Sequence, residues 1–270
     1  MRCGAERIAE AFAAAHADGR AAALMPYMMA GYPDAGTSRA IALAYADAGA
    51  DLVEVGIPFS DPLADGPVIH AAATAALAAG TTVAGALEVA RTIAERVPVV
   101  AMCYVNPIIA CGPARFVGLL SAAGVSGLIV PDLPLEEASD LRHHCAAAGV
   151  AFVPLVAPST PDARLAAIGE AAAGFLYAVS VTGTTGERAG VGGELARLLA
   201  RARARTAVPI AAGFGISTPA QAAAAAAAGA DGVIVGSRLV RAAGESQDPA
   251  GAVRELVAGL AAALSGAALG

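Results

Sequence analysis

Apolar residues in this chain fall in short runs, and the same signal introduces most of them. Ala48-Gly49-Ala50-Asp51 precedes Leu52-Val53-Glu54-Val55, and Ala123-Gly124-Val125-Ser126-Gly127 precedes Leu128-Ile129-Val130. Ala148-Gly149-Val150 precedes Ala151-Phe152-Val153, Ala173-Gly174 precedes Phe175 to Val179, and Ala228-Gly229-Ala230-Asp231-Gly232 precedes Val233-Ile234-Val235. Each unit reads as a helix end, a glycine that stops it, and a short buried strand. Strands alternating with helices predict a parallel sheet with crossover helices. Eight strands are expected, near 24–30, 51–57, 98–104, 126–131, 151–156, 175–180, 208–213 and 232–236. A helix near 4–17 precedes the first strand, and the last helix spans about 250–264. The predicted fold is α/β, a (β/α)8 TIM barrel with an extra N-terminal helix. Residues 1–270 form its single domain, close to the roughly 250 residues usual for that fold. A doubly wound open sheet is the competing arrangement. In a barrel, chemistry sits in the loops that follow the strands.

Composition narrows the functions. The chain is 57% hydrophobic, but much of this is alanine. Its most apolar long window, Ala71 to Ala90, contains Gly80-Thr81-Thr82. That window reads as two helical pieces broken at Gly80 rather than as the ~20-residue apolar stretch of a membrane span. No apolar run follows the first residues, so no secretory signal is expected. Cys3, Cys103, Cys111 and Cys145 lack CxxC spacing and read as reduced thiols of a cytoplasmic protein. The net charge of −6 argues against nucleic acid as a partner. Arg197, Arg201, Arg203 and Arg205 read as a solvated helix face. All 17 Lys and Arg residues are arginine. Without lysine there is no Schiff-base aldolase chemistry and no covalently held pyridoxal phosphate. Any carbon–carbon cleavage must then use acid–base groups or a metal. No His/Asp/Glu set has metal-ligand spacing. His143 and His144, adjacent on a helix, read as surface residues, and His70 also reads as bland.

Two clusters carry chemistry. On the second expected strand, side chains alternate. Val53, Val55 and Ile57 suit the helix layer, so Leu52, Glu54 and Gly56 face inward. An inward carboxylate is costly unless paired. Its pKa should rise, which suits a general acid or base near neutral pH; a structural carboxylate held by backbone donors is the alternative. The loop Pro58 to Gly66 is stiff and acidic. In it Asp65 reads equally well as a functional group or as the N-cap of the next helix, and Asp61 before Pro62 is similarly open. The second cluster is glycine-rich: Thr182 to Gly186 after strand six, Gly213-Phe214-Gly215 after strand seven, and Gly236-Ser237 at the end of strand eight. Backbone N–H groups in such turns, with a helix N-terminus, can hold a phosphate without lysine or arginine.

Taken together these segments resemble the tryptophan synthase alpha chain family. The resemblance is carried by Met25 to Asp34, Val53 to Pro67, Met102 to Pro107, Gly127 to Pro134, Tyr177 to Ser180, Gly183 to Gly186, Gly213 to Ile216, and Gly236-Ser237. It implies retro-aldol cleavage of indole-3-glycerol phosphate into indole and glyceraldehyde 3-phosphate. Glu54 would be the acid–base group, and Asp65 would accept from the indole N–H. Tyr177 would position the glycerol chain or Glu54. Gly186, Gly213, Gly236 and Ser237 would hold the phosphate. Thr185 would meet Asp65 when its loop closes, and Tyr27, Leu128, Val130, Phe214 and Ile234 would shape the indole pocket. It also implies an α2β2 complex with a separate β chain that holds the pyridoxal phosphate. Asp61, Pro62, Asn106 and Pro107 would face that partner, and no cofactor is expected in this chain. Met29 and Thr184 depart from the family's usual Thr and Val, which touches pocket packing and loop closure but not the reaction class. The alternatives are a free-standing indole-3-glycerol phosphate lyase, another phosphosugar barrel enzyme, and a non-catalytic partner-activating subunit.

Overall fold

The computed structural model describes residues 3–179, 191–213 and 215–266. Its strands are β1 (Ala23–Met29), β2 (Val53–Gly56), β3 (Val99–Met102), β4 (Gly127–Ile129), β5 (Ala151–Phe152), β6 (Leu155–Val156), β7 (Leu176–Val179), β8 (Ile210–Gly213) and β9 (Gly232–Val235). They form one sheet in the order β5-β4-β3-β2-β1-β9-β8-β7-β6. Every pairing is parallel, as crossover helices require.

The expected strand over 151–156 is divided in two, and the reason is chemical. Pro154 has no N–H to give to a ladder. Just before it, the Val153 N–H donates to the Leu128 carbonyl at 2.9 Å, while the Pro154 carbonyl accepts from the Tyr177 N–H at 3.0 Å. One continuous segment thus passes from β4 on one side to β7 on the other. The two ends of the sheet are the two halves of this segment, so the sheet closes. Counting β5 and β6 as one stave, the nine-stranded sheet becomes an eight-staved barrel, and the open-sheet alternative is set aside.

Alternation divides the core. Ala23, Met25, Leu52, Val100, Ile129, Val153 and Ala211 fill the interior, while Leu24, Val53, Val55, Ile57, Ala101 and Leu128 pack under the helices. The Ala-rich window is indeed two helices, Pro67–Ala78 and Val83–Arg91, broken where Gly80 takes φ +84°. No single helix among the described residues is long and apolar enough to cross a membrane. Two of the expected surface arginines do more than face water. Arg201 holds Asp162 at 2.7 Å and the Thr160 carbonyl at 2.6 Å, and Arg203 pairs with Asp231. The recurring Ala-Gly-Ala-Asp explains its aspartate: Asp51 accepts from the Leu24 N–H at 2.8 Å and Asp231 from the Ile210 N–H at 2.7 Å. Each carboxylate therefore ties the start of its own strand to the strand beside it.

The first helix, Gly4–Ala17, lies across the N-terminal end of the barrel. Ile8 and Phe12 join the interior cluster, with Phe12 5.9 Å from Phe175. Arg7 fixes the helix by donating to Gly124 O and Ser126 Oγ, both at 3.2 Å. Gly4 is where the helix touches down. A Cβ there would stand 2.0 Å from the Ser126 carbonyl oxygen. Gly4→Ala is expected to cost about 1–3 kcal/mol through overpacking, lowering Tm by roughly 2–10 °C. A thermal melt with an unchanged midpoint would show that the helix does not seat there.

Candidate active site

A cavity of about 1110 Å3 opens at the C-terminal ends of the strands. The deepest titratable group is Glu54, in mid-β2. The alternation that puts Val53 and Val55 under the helices turns Glu54 inward, where it is 0% exposed. Neither of its carboxylate oxygens finds a hydrogen-bond partner among the described residues. Loss of water around it, and then the charge of Asp65, push its pKa up to about 8. The backbone-held structural alternative therefore has no support: no donor among the described residues holds this carboxyl.

Asp65 lies in the loop after β2 and lines the same cavity. It is not an N-cap: Gly66 takes that position for helix Pro67–Ala78, with no side-chain cap bond. Burial raises the Asp65 pKa to about 6, while a hydrogen bond with Tyr104 and the nearby His70 pull the other way. Tyr104 was not singled out by the sequence. It follows β3, stacks on Phe59 at 5.5 Å, and accepts the Ala64 N–H on its hydroxyl at 3.0 Å. That leaves the hydroxyl proton to be given to Asp65, so one side chain braces both ends of the acidic loop.

Two tyrosines flank Glu54, and each rests on a glycine. A Cβ on Gly56 would stand 2.1 Å from the Tyr27 hydroxyl, and one on Gly213 would stand 2.4 Å from the Tyr177 hydroxyl. Gly213 therefore makes room for Tyr177 at the end of β8. Burial first, and then the charges of Glu54 and Asp65, hold both phenols well above the usual tyrosine range.

Tyr27, Glu54, Asp65, Tyr177, Ile234, Gly236 and Ser237 all line the cavity. Gly236 is the N-cap of helix Ser237–Glu245, whose first N–H groups have no intrahelical acceptor. Leu128 is a correction. It faces the helix layer and Ile129 lines the cavity instead, because the pleat reverses direction at each residue; Val130, just past the end of β4, lines the cavity as expected. Thr184, Thr185, Gly186 and Phe214 lie outside the described residues. Met29 is buried beside Ile69 and Tyr27. The residues expected at a partner surface are on the rim: Asp61 and Asn106 are exposed and Pro107 is half-buried, but Pro62 is buried. The apolar groups exposed there are Leu63 and Ile109, at 90% and 63%. The sequence also gave no warning of Arg238 and Arg241, which line the cavity beside Ser237. His143 is exposed, and no His, Cys, Asp and Glu among the described residues are grouped to hold a metal.

Comparison with known proteins agrees with this geometry. A profile of the tryptophan synthase alpha chain family matches residues 12–265. The tryptophan synthase alpha chain of Prochlorococcus marinus (strain MIT 9313) is 48% identical over 236 residues, 87% of this chain and 86% of that one. That of Deinococcus radiodurans is 45% identical over 259 residues, 95% of each. Among solved structures, ligand-free tryptophan synthase from M. tuberculosis superposes with a TM-score of 0.88 at 38% identity, covering 96% of this chain and 99% of that one. The Pyrococcus furiosus protein, solved to explain mutual activation of the tryptophan synthase α2β2 complex, gives a TM-score of 0.83 at 36% identity over 90% of this chain and 98% of that one. With a matching profile over most of its length and relatives at this identity, the chain belongs to the tryptophan synthase alpha chain family.

Proposed function

We propose that this cavity carries out the α reaction, retro-aldol cleavage of indole-3-glycerol phosphate to indole and glyceraldehyde 3-phosphate. The observation that carries the mechanism is Glu54, a fully buried carboxyl with a raised pKa at the floor of an apolar cavity. Held protonated, it gives its proton to indole C3, and the ring nitrogen becomes positive. Asp65, ionised near neutral pH, accepts from the N–H and stabilises that charge as it grows. The Glu54 carboxylate then takes the proton of the hydroxyl on the carbon bonded to C3. The O–H pair becomes the carbonyl π bond, and the C3–carbon bond breaks. Its electrons restore the indole double bond and neutralise the nitrogen, so Glu54 ends protonated as it began. Tyr177 positions the glycerol chain. Gly213, Gly236 and Ser237, with Gly186, take the phosphate at the start of helix Ser237–Glu245.

Nothing in this chemistry draws on a cofactor, and the chain has no lysine to bind pyridoxal phosphate covalently; that group would belong to a β chain. Asp61, Asn106 and Pro107, on the rim, would face such a partner, while Pro62 is covered within its own chain. The α2β2 assembly named for the Pyrococcus furiosus relative supports that reading. Free thiols at Cys3, Cys103, Cys111 and Cys145 suit the cytoplasm, and the whole chain is read as one domain. The test is indole release from indole-3-glycerol phosphate by the purified chain, alone and with a tryptophan synthase β chain. Slow release alone and acceleration by the β chain are expected. Fast release alone would favour a free-standing lyase, and none in either condition would overturn the reaction.

A further inference from the structure

Tyr27 is 4% exposed and lines the cavity, yet its hydroxyl has no hydrogen-bond partner among the described residues. A buried hydroxyl left unpaired is costly, and here the cost is built in twice. The phenol extends over Gly56, where any larger residue would collide with the hydroxyl oxygen. Tyr27 is also the register partner of Glu54 across β1 and β2, so the two side chains leave adjacent strands on the same inward face, with the hydroxyl carried along β2 to Gly56. At its other end, the Tyr27 Cβ lies 3.6 Å from where a Gly236 Cβ would stand, next to the helix start that lines the same cavity. The side chain thus reaches from the Gly236 turn to Gly56, two residues along β2 from Glu54.

Resting on the reaction proposed above, we infer that Tyr27 is a further catalytic residue, donating a hydrogen bond to the glycerol oxygen on the carbon that leaves indole C3. That oxygen must lie against Glu54, which removes its proton, and the Tyr27 hydroxyl, over Gly56 on the same inward face of β2, belongs to one of the two phenols that flank Glu54. As the O–H bond gives way to a carbonyl, negative charge builds on the oxygen, and a fixed donor stabilises it most at that moment. Tyr27 keeps its own proton throughout, because burial and the neighbouring carboxylates raise its pKa far above the working range.

The experiment compares wild type with Tyr27→Phe, which removes one unpartnered oxygen and leaves the packing intact. Expected are a fall in kcat of about 10²-fold and an unchanged alkaline limb in the pH profile of kcat. Expected too is unchanged affinity for indole-3-propanol phosphate, the analogue lacking both glycerol hydroxyls. Equal turnover would overturn the proposal. So would a parallel loss of affinity for the analogue, which would make Tyr27 a packing residue. A displaced alkaline limb would also overturn it, by making Glu54 rather than the substrate the acceptor. Failure of wild type itself to release indole would instead sink the reaction on which the inference rests.

Discussion

Glu54→Gln is expected to lower indole release by more than 10²-fold, since a positioned acid–base group typically contributes about 10²–10⁴-fold. Glutamine keeps the shape of the protonated carboxyl but cannot give its proton to carbon or take one from the hydroxyl. The same substitution should leave a thermodynamic signature that separates chemistry from damage. Burial raises this carboxyl from an ordinary 4.5 to about 8. Between those values the folded chain keeps a proton that the unfolded chain has lost. Stability from this group is therefore full below pH 4.5 and declines as pH rises towards 8. Each pKa unit corresponds to about 1.4 kcal/mol, so the slope is measurable. Melts of both proteins between about pH 5 and pH 9 should show wild type losing stability more steeply than the variant. Parallel slopes would mean that Glu54 is not held protonated, and turnover of the variant at the wild-type level would remove its catalytic role.

Asp65→Asn should be the second most damaging change, lowering kcat by about 10²-fold, on the scale of losing one group that stabilises developing charge. Its KM should move little, because the nitrogen carries positive charge only after C3 is protonated. Burial raises Asp65 to about 6 against the pull of Tyr104 and His70. Wild-type kcat should therefore fall as pH drops through about 6, and this acid limb should vanish in Asp65→Asn. Near-normal turnover, or a surviving acid limb, would refute the charge-stabilising role.

The barrel was legible because its sequence repeats one physical sentence: a glycine that ends a helix, then a strand too short and apolar to be anything but buried. The break in strand five was not legible. A single proline inside an apolar run does not announce that the residues on either side pair with opposite neighbours. Glu54 stood out because a lone carboxylate at an inward position of an apolar strand violates the surrounding pattern. Asp65 did not, since on spacing alone an aspartate before Gly66-Pro67 is as good a cap as a catalyst, and only the folded loop separates the two. Tyr104 and Ile129 were hidden for different reasons. Tyr104 acts through a loop remote in sequence, and Ile129 lies one residue from Leu128 on a strand where that one step reverses the direction of every side chain. The seating of Tyr27 over Gly56 belongs to register across two strands, which a linear pattern does not encode.

The helix Gly4–Ala17, with Ile8 and Phe12 packed into the end of the barrel, has a consequence for traffic. A barrel open at both ends would let a small apolar product drain from either face. This one is stoppered at its N-terminal end, so whatever arrives or departs crosses the opposite mouth, beside the loops that carry Asp61, Leu63, Asn106 and Ile109. On the proposed reaction the phosphate ester would enter and indole would leave on that side, and a protein seated on that rim would govern both.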